Sequence, residues 1–180
     1  MNRCILFLLT KTTCLVLGIP YDPALDIWSA GCTLYELYTG KILLPGRSNN
    51  QMLLLMMELK GRFNSKMIKK AKFGDVYFDD MGGFESVEKD RITGNVSLYI
   101  LSYHYVLCLC LLQDVVRKVH ISKASRDLRM RLMPPASSKT TDEENKLIVS
   151  FIDLLDKCLV LDPMRRITPR EALGHPFIRG

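Results

Sequence analysis

A chain of 180 residues with 48% hydrophobic and 24% charged content has room for one domain with a single core, and is too apolar for a disordered tail. Its 25 Lys and Arg against 19 Asp and Glu leave a net charge of +6, a basic balance that a solvated surface explains without any polyanion ligand. Six cysteines occur without a C-x-x-C pair, which argues against a zinc site and for free thiols in a reducing compartment.

The first ten residues hold Arg3 and the apolar run Cys4-Ile5-Leu6-Phe7-Leu8-Leu9. Lys11 closes the run and no small-residue cleavage site follows, so it reads as neither a signal peptide nor an anchor. A helix is expected over 22–39. Asp22 is its candidate N-cap, Pro23 suits the first helical position, and Gly40 ends it. Apolar residues occur on every side of it (Leu25, Ile27, Trp28, Leu34, Tyr35, Leu37), the pattern of a helix wrapped by other elements. Gly31 inside it implies close packing against another backbone.

A second helix is expected from Asn49 or Asn50 through Leu59, stopped by Gly61, with the run from Met52 to Met57 as core. A polar, basic connector is expected over 62–95, with a turn at Gly82-Gly83. Within the foreign apolar block 96–113, the run Leu98 to Leu112 is interrupted by Ser102 and His104 and is shorter than the roughly 20 residues of a membrane-spanning helix. The stretch 117–131 is basic but lacks aromatic side chains for base stacking, so RNA binding is the weaker reading of it. Thr141-Asp142-Glu143-Glu144 is a capping box, followed at helical spacing by Leu147, Ile148, Phe151, Ile152, Leu155, Cys158 and Leu159. Thr168-Pro169-Arg170-Glu171 repeats the device, with Gly174 at the exit.

Three motifs in this order carry a family signal: Asp26-x-Trp28-Ser29-x-Gly31-Cys32, Leu161-Asp162-Pro163-Met164-Arg165-Arg166-Ile167-Thr168, and Ala172-Leu173-Gly174-His175-Pro176-Phe177. They resemble the large lobe of eukaryotic protein kinases. Leu17-Gly18-Ile19-Pro20-Tyr21-Asp22, Leu34 to Lys41 and Pro45 to Asn50 narrow the resemblance to the CMGC group, and within it to fungal-type pre-mRNA-splicing Ser/Thr kinases. The resemblance implies a mainly α fold. It is an incomplete kinase large lobe of helices around a central buried helix, with a CMGC-type insert that we expect to be poorly ordered. The expected boundaries are 1–16 as a non-family N-terminus and 17–180 as a partial kinase domain interrupted at 96–113. That block begins Val96-Ser97, as a donor-type GTAAGT would be translated, and ends at Gln113, as CAG would be, which reads as a retained intron.

In such kinases the aspartate at Asp26 anchors the catalytic loop, and the arginine at Arg166 pairs with the glutamate of an A-P-E motif. Asp26, Trp28, Gly31 and Arg166 are therefore the family's structural motif positions here, with no catalytic, cofactor-binding or metal-binding residue assigned. The sequence holds no G-x-G-x-x-G loop, V-A-I-K lysine, H-R-D-x-x-x-x-N, D-F-G or A-P-E. ATP and magnesium are implied for a complete family member, not for this chain, and phosphoryl transfer depends on those missing groups. The expectation is an inactive piece of a nuclear splicing kinase with spliceosomal proteins as partners, nucleic acid unlikely and no membrane. A non-catalytic docking module and a basic RNA-binding protein are the alternatives. The large-lobe helix without its upstream neighbours predicts exposed apolar surface and marginal stability.

Overall fold

The computed structural model describes residues 12–20, 23–89, 114–119, 121, 124–125, 127–135 and 140–180. Asp22 and the blocks 1–10 and 96–113, all singled out above, lie outside the described residues. In chain order the elements are α1 (Thr13–Leu17), α2 (Ala24–Thr39), α3 (Asn49–Lys60), α4 (Ser65–Lys70), α5 (Gly74–Tyr77), β1 (Phe84–Lys89), β2 (Asp114–Val119), α6 (Leu128–Leu132), α7 (Asp142–Cys158), a 3₁₀ turn (Pro163–Arg165), α8 (Pro169–Leu173) and α9 (Pro176–Arg179). The fold is mostly helical with one small sheet.

The core forms around α3, because its run of long apolar side chains is buried on nearly all sides. Met52, Leu53, Met56 and Met57 are inaccessible to solvent or nearly so. Ser48 caps this helix by accepting the Gln51 N–H, and Gly61 (φ 84°) ends it. Lys60 ties its C-terminus to α7 through a 2.7 Å ion pair with Asp156. Helix α1, which straddles the expected boundary at residue 16, packs into the same core through Val16 and Leu17. Its Thr13 hydroxyl donates to the Leu161 carbonyl at 3.1 Å, far along the chain.

Helix α2 starts one residue later than the proline pattern suggests. Pro23 occupies the N-cap with helical φ and ψ and makes no side-chain cap bond, while Gly40 ends the helix in the left-handed region as expected. Of its sixteen residues only Trp28, Gly31 and Tyr35 are buried. Leu37 is 76% exposed and Tyr38 50%, so the apolar surface anticipated for this helix is present. Helix α7 carries the predicted capping box, with both Thr141–Glu144 bonds formed. Its inward face differs at one position from the spacing: Leu147 lies exposed, whereas Leu154 is 2% exposed and belongs to the core. The 3.6-residue rotation brings Leu154 beside Leu155 and Cys158 on a helix that buries a broad stripe.

The connector and insert are the main correction to the sequence reading. Rather than a polar linker and a poorly ordered insert, 62–89 contributes α4, α5 and β1, and buries Phe63, Met67, Phe78 and Phe84. Phe63, Phe78 and Phe84 stack edge-on, with centroids 5.9 and 5.5 Å apart, beneath the hairpin. Strand β1 pairs antiparallel with β2 in register from Phe84↔Val119 to Lys89↔Asp114. The aromatic residues fall at irregular spacing among lysines and aspartates, so no single period announces them.

Asn50 fixes the hairpin on α3. Its side-chain amide donates to the Glu85 carbonyl at 2.7 Å, and its side-chain oxygen accepts from the Val87 N–H at 2.9 Å. One buried side chain thus takes the place of a neighbouring strand along the free edge of β1. Asn50→Ala leaves both backbone groups unpaired at a site where the native residue is 8% exposed. We expect a loss of about 1–3 kcal/mol in denaturant unfolding and faster amide exchange at Val87. An unchanged unfolding midpoint would show that the hairpin does not depend on this residue.

Candidate functional site

Three of the four family motif positions converge on one junction between the start of α2 and the segment that leaves α7. Arg166, two residues before the N-cap of α8, is 4% exposed. Its Nε and Nη2 donate to the Val160 carbonyl at 3.0 and 2.9 Å, its Nη2 also reaches Leu161 O at 3.5 Å, and its Nη1 donates to Ala24 O. The guanidinium carbon lies 5.1 Å from the centre of the Trp28 ring, within cation–π range. A buried cation is tolerable only when its donors are satisfied, and here carbonyl dipoles from two distant segments do that.

Gly31 completes the junction. A Cβ at this position would meet the Cys158 Cβ at 3.0 Å and a Leu159 methyl at 3.2 Å. The close approach expected for Gly31 is real, although its neighbours are side chains of α7 and the residue after it rather than a backbone. Cys158 is buried as expected and Cys32 only half-buried. Burial pushes the Cys32 thiol up to about 12 and the Cys158 thiol up to about 11, with the Arg166 charge opposing in both cases. Both are protonated thiols at neutral pH, which makes them poor nucleophiles.

Asp26 behaves differently from its three companions. It is exposed, and its carboxylate makes no hydrogen bond among the described residues. Its backbone N–H donates to Pro23 O at 3.1 Å within the first turn. The structure therefore unites Trp28, Gly31 and Arg166 and leaves Asp26 facing outward from the same helix. The Trp28 indole N–H, itself buried, has no hydrogen-bond partner among the described residues.

A second junction escaped the sequence reading. His175 is 4% exposed, and its Nε2 lies 2.9 Å from Asp153 Oδ2, which Lys157 also holds at 2.7 Å. Its Nδ1 accepts the Phe177 N–H at 3.3 Å and so caps α9. That places the ring proton on Nε2, donated to Asp153. The signal was available, because a polar residue directly before Pro176 is a helix N-cap pattern. The Lys157 hydrogen bond, with His175 assisting and desolvation opposing, holds the Asp153 carboxyl below the usual carboxylate range. Its pairing is therefore complete above the ordinary carboxylate value and is lost as pH falls through the lowered one.

Among the described residues no group of three or more His, Cys, Asp or Glu side chains comes together as metal ligands. No helix there is long and apolar enough to cross a membrane. The junctions gather an arginine, an indole and thiols on one side and an imidazole clamp on the other. In this arrangement they tie α2, α7 and α9 to one another through hydrogen bonds and ring contacts.

The protein kinase domain model matches residues 15–178. This chain belongs to the protein kinase domain family. Among its relatives, the serine/threonine-protein kinase prp4 of Schizosaccharomyces pombe is 43% identical over 163 residues, covering 91% of this chain and 30% of that protein. The serine/threonine-protein kinase prpf4B of Dictyostelium discoideum is 38% identical over 167 residues, covering 92% of this chain and 18% of that protein. The human dual specificity tyrosine-phosphorylation-regulated kinase 4 is 32% identical, covering 91% of this chain and 24% of that protein. The chain thus spans less than a third of the length of these relatives, and the resemblance read from its three motifs stands.

Replacing Arg166 tests the first junction. Arg166→Lys keeps the charge but cannot reach carbonyls on both sides with a planar fork, and Arg166→Met leaves those carbonyls without this donor. Both variants are expected to lose about 2–4 kcal/mol in urea unfolding, with Met no better than Lys. A Lys variant of wild-type stability would reduce the junction to a charge effect.

Proposed function

We propose that this chain is the large-lobe portion of a Ser/Thr protein kinase of the splicing branch, and that the 180-residue polypeptide does not transfer phosphate by itself. The observation that carries this reading is the split among the motif positions. Trp28, Gly31 and Arg166 are locked into one junction, while Asp26 has no hydrogen-bonded partner among the described residues. In the family Asp26 would hold the catalytic loop; here the framework is assembled and that loop has no counterpart in the sequence.

ATP and magnesium, implied for a complete member, do not fit the residues described. Among the described residues no acidic cluster would hold the metal, and the sequence has no G-x-G-x-x-G loop for a lysine to face. The parent activity would be transfer of the ATP γ-phosphate to Ser or Thr of nuclear splicing proteins, with spliceosomal proteins as partners. A docking role follows from the same framework, and the exposed Leu37 and Tyr38 on α2 favour it as the second reading. The purified chain, incubated with labelled ATP, magnesium and a Ser/Arg-rich substrate, is expected to incorporate no label above a no-protein control. Incorporation abolished by Asp26→Asn would overturn the proposal.

The domain boundaries belong to the same reading: kinase portion over 17–180, with 1–16 outside it and 96–113 an interruption. Strands β1 and β2 are already in register at Lys89↔Asp114. Removal of 96–113 would leave 90–95 to close the hairpin, a loop length that antiparallel strands accept readily. Deleting 96–113 is expected to keep cooperative unfolding, with a midpoint equal to or above that of the full chain. Loss of the folded state on deletion would make the block a genuine part of the domain.

A further inference from the structure

Three lysines elsewhere on the molecule pair with acids, while Lys41 and Lys146 are exposed without an ion pair among the described residues. Lys60, Lys118 and Lys157 pair with Asp156, Asp79 and Asp153 at 2.7, 3.0 and 2.7 Å. Helix α4 and the turn after it gather four unpaired lysines within seven residues. Lys66, Lys69, Lys70 and Lys72 are all exposed, and none takes part in an ion pair among the described residues. Arg62 precedes them, and the first acid to follow is Asp75.

Their placement is set by the core, not by charge. Met67, between Lys66 and Lys69, is 7% exposed and anchors α4, while Asn64 caps the helix by accepting the Lys66 N–H at 3.0 Å. Lys66 with Lys69 and Lys66 with Lys70 stand at i,i+3 and i,i+4. Like charges at these spacings face the same way and repel, which lowers stability. A rigid, self-repelling cationic face with no internal counter-charge becomes favourable when an external anion neutralises it.

We propose that this face docks an acidic polypeptide segment, an extended run in which Asp or Glu recurs at alternate positions. Lys66 and Lys70 are separated by about 6 Å along a helix, which matches the roughly 6.6 Å between alternate residues of an extended strand. Lysine is a point charge without the planar fork that grips a single phosphate in two places. The face therefore answers charge density along a chain rather than one phosphate group. Val76, 64% exposed, and Phe73, 41% exposed, supply apolar contacts beside the lysines.

Phe73 also argues against RNA as the occupant. Its ring packs on the backbone of Gly18, so closely that a Cβ there would fall 2.8 Å from it. The Lys72 ammonium lies 5.8 Å from the ring centre, and the Phe73 backbone N–H donates to Leu17 O at 3.0 Å. A ring held in this way is no platform for successive bases. The inference does not rest on the kinase reading; a loss of one leaves the other standing.

The test is fluorescence anisotropy with the full chain and a dye-labelled twelve-residue peptide of alternating acidic residues and serine. A phosphoserine peptide of equal charge and a uridine-rich RNA of equal length serve as the other arms. The acidic peptide is expected to bind, more weakly as salt rises. Changing the four lysines to glutamine should weaken it about tenfold while the thermal midpoint stays the same or rises, because self-repulsion is relieved. Should that variant fail to fold, the pair Lys69→Gln and Lys72→Gln is expected to weaken binding about threefold. Unchanged binding by the substituted chain, or tighter binding of the phosphopeptide or RNA, overturns the proposal.

Discussion

The structure depends on one buried cation. The Arg166 guanidinium ties Ala24, at the start of α2, to Val160 and Leu161, beyond the end of α7, and stacks on Trp28 from the middle of α2. Taken singly, each contact is an ordinary hydrogen bond or ring contact. Together they determine how two long helices separated by more than a hundred residues cross. The cost of burying the charge makes the arrangement specific, because an alternative packing would strand the guanidinium without acceptors. Gly31 then permits the crossing to be close, and Cys158 and Leu159 fill the space that any other residue would take.

That crossing draws together three of the four family motif positions, Trp28, Gly31 and Arg166. The junction is made from residues toward the two ends of the family match, which spans 15–178. Part of the other side of α2 is exposed. Asp26 faces solvent two residues after Ala24, and Leu37 lies exposed near the C-terminus of the same helix, where Tyr38 packs its ring on Phe151 of α7. A helix with this much apolar character on its free face is ordinarily covered by further chain.

Much of this was legible from the residues. The capping boxes at Thr141 and Thr168, the stop at Gly40 and the methionine-leucine core of α3 are local signals, and local hydrogen bonding decides them. The motif positions could be picked out, and Gly31 could be assigned to close packing, whereas the resemblance gave Arg166 a carboxylate partner in place of the carbonyls it meets. What could not be read was non-local. Nothing near Asn50 announces that its amide will meet a strand 35 residues later. The aromatic trio of Phe63, Phe78 and Phe84 is scattered through a charged segment that looks like a linker, and only tertiary contact gathers it. The partners of Arg166 are backbone carbonyls, which carry no sequence signature at all.

The central claim is that α2 and α7 form one cooperative unit through the Arg166 junction, although α2 is partly exposed on its other side. Native-state hydrogen exchange across a denaturant series measures this directly. The account predicts that amides in the middle of α2, around Trp28 to Tyr35, and in α7, around Phe151 to Leu155, merge onto a single unfolding isotherm. If the α2 amides exchange at nearly unprotected rates while α7 remains protected, the junction does not hold the two helices together and the account fails.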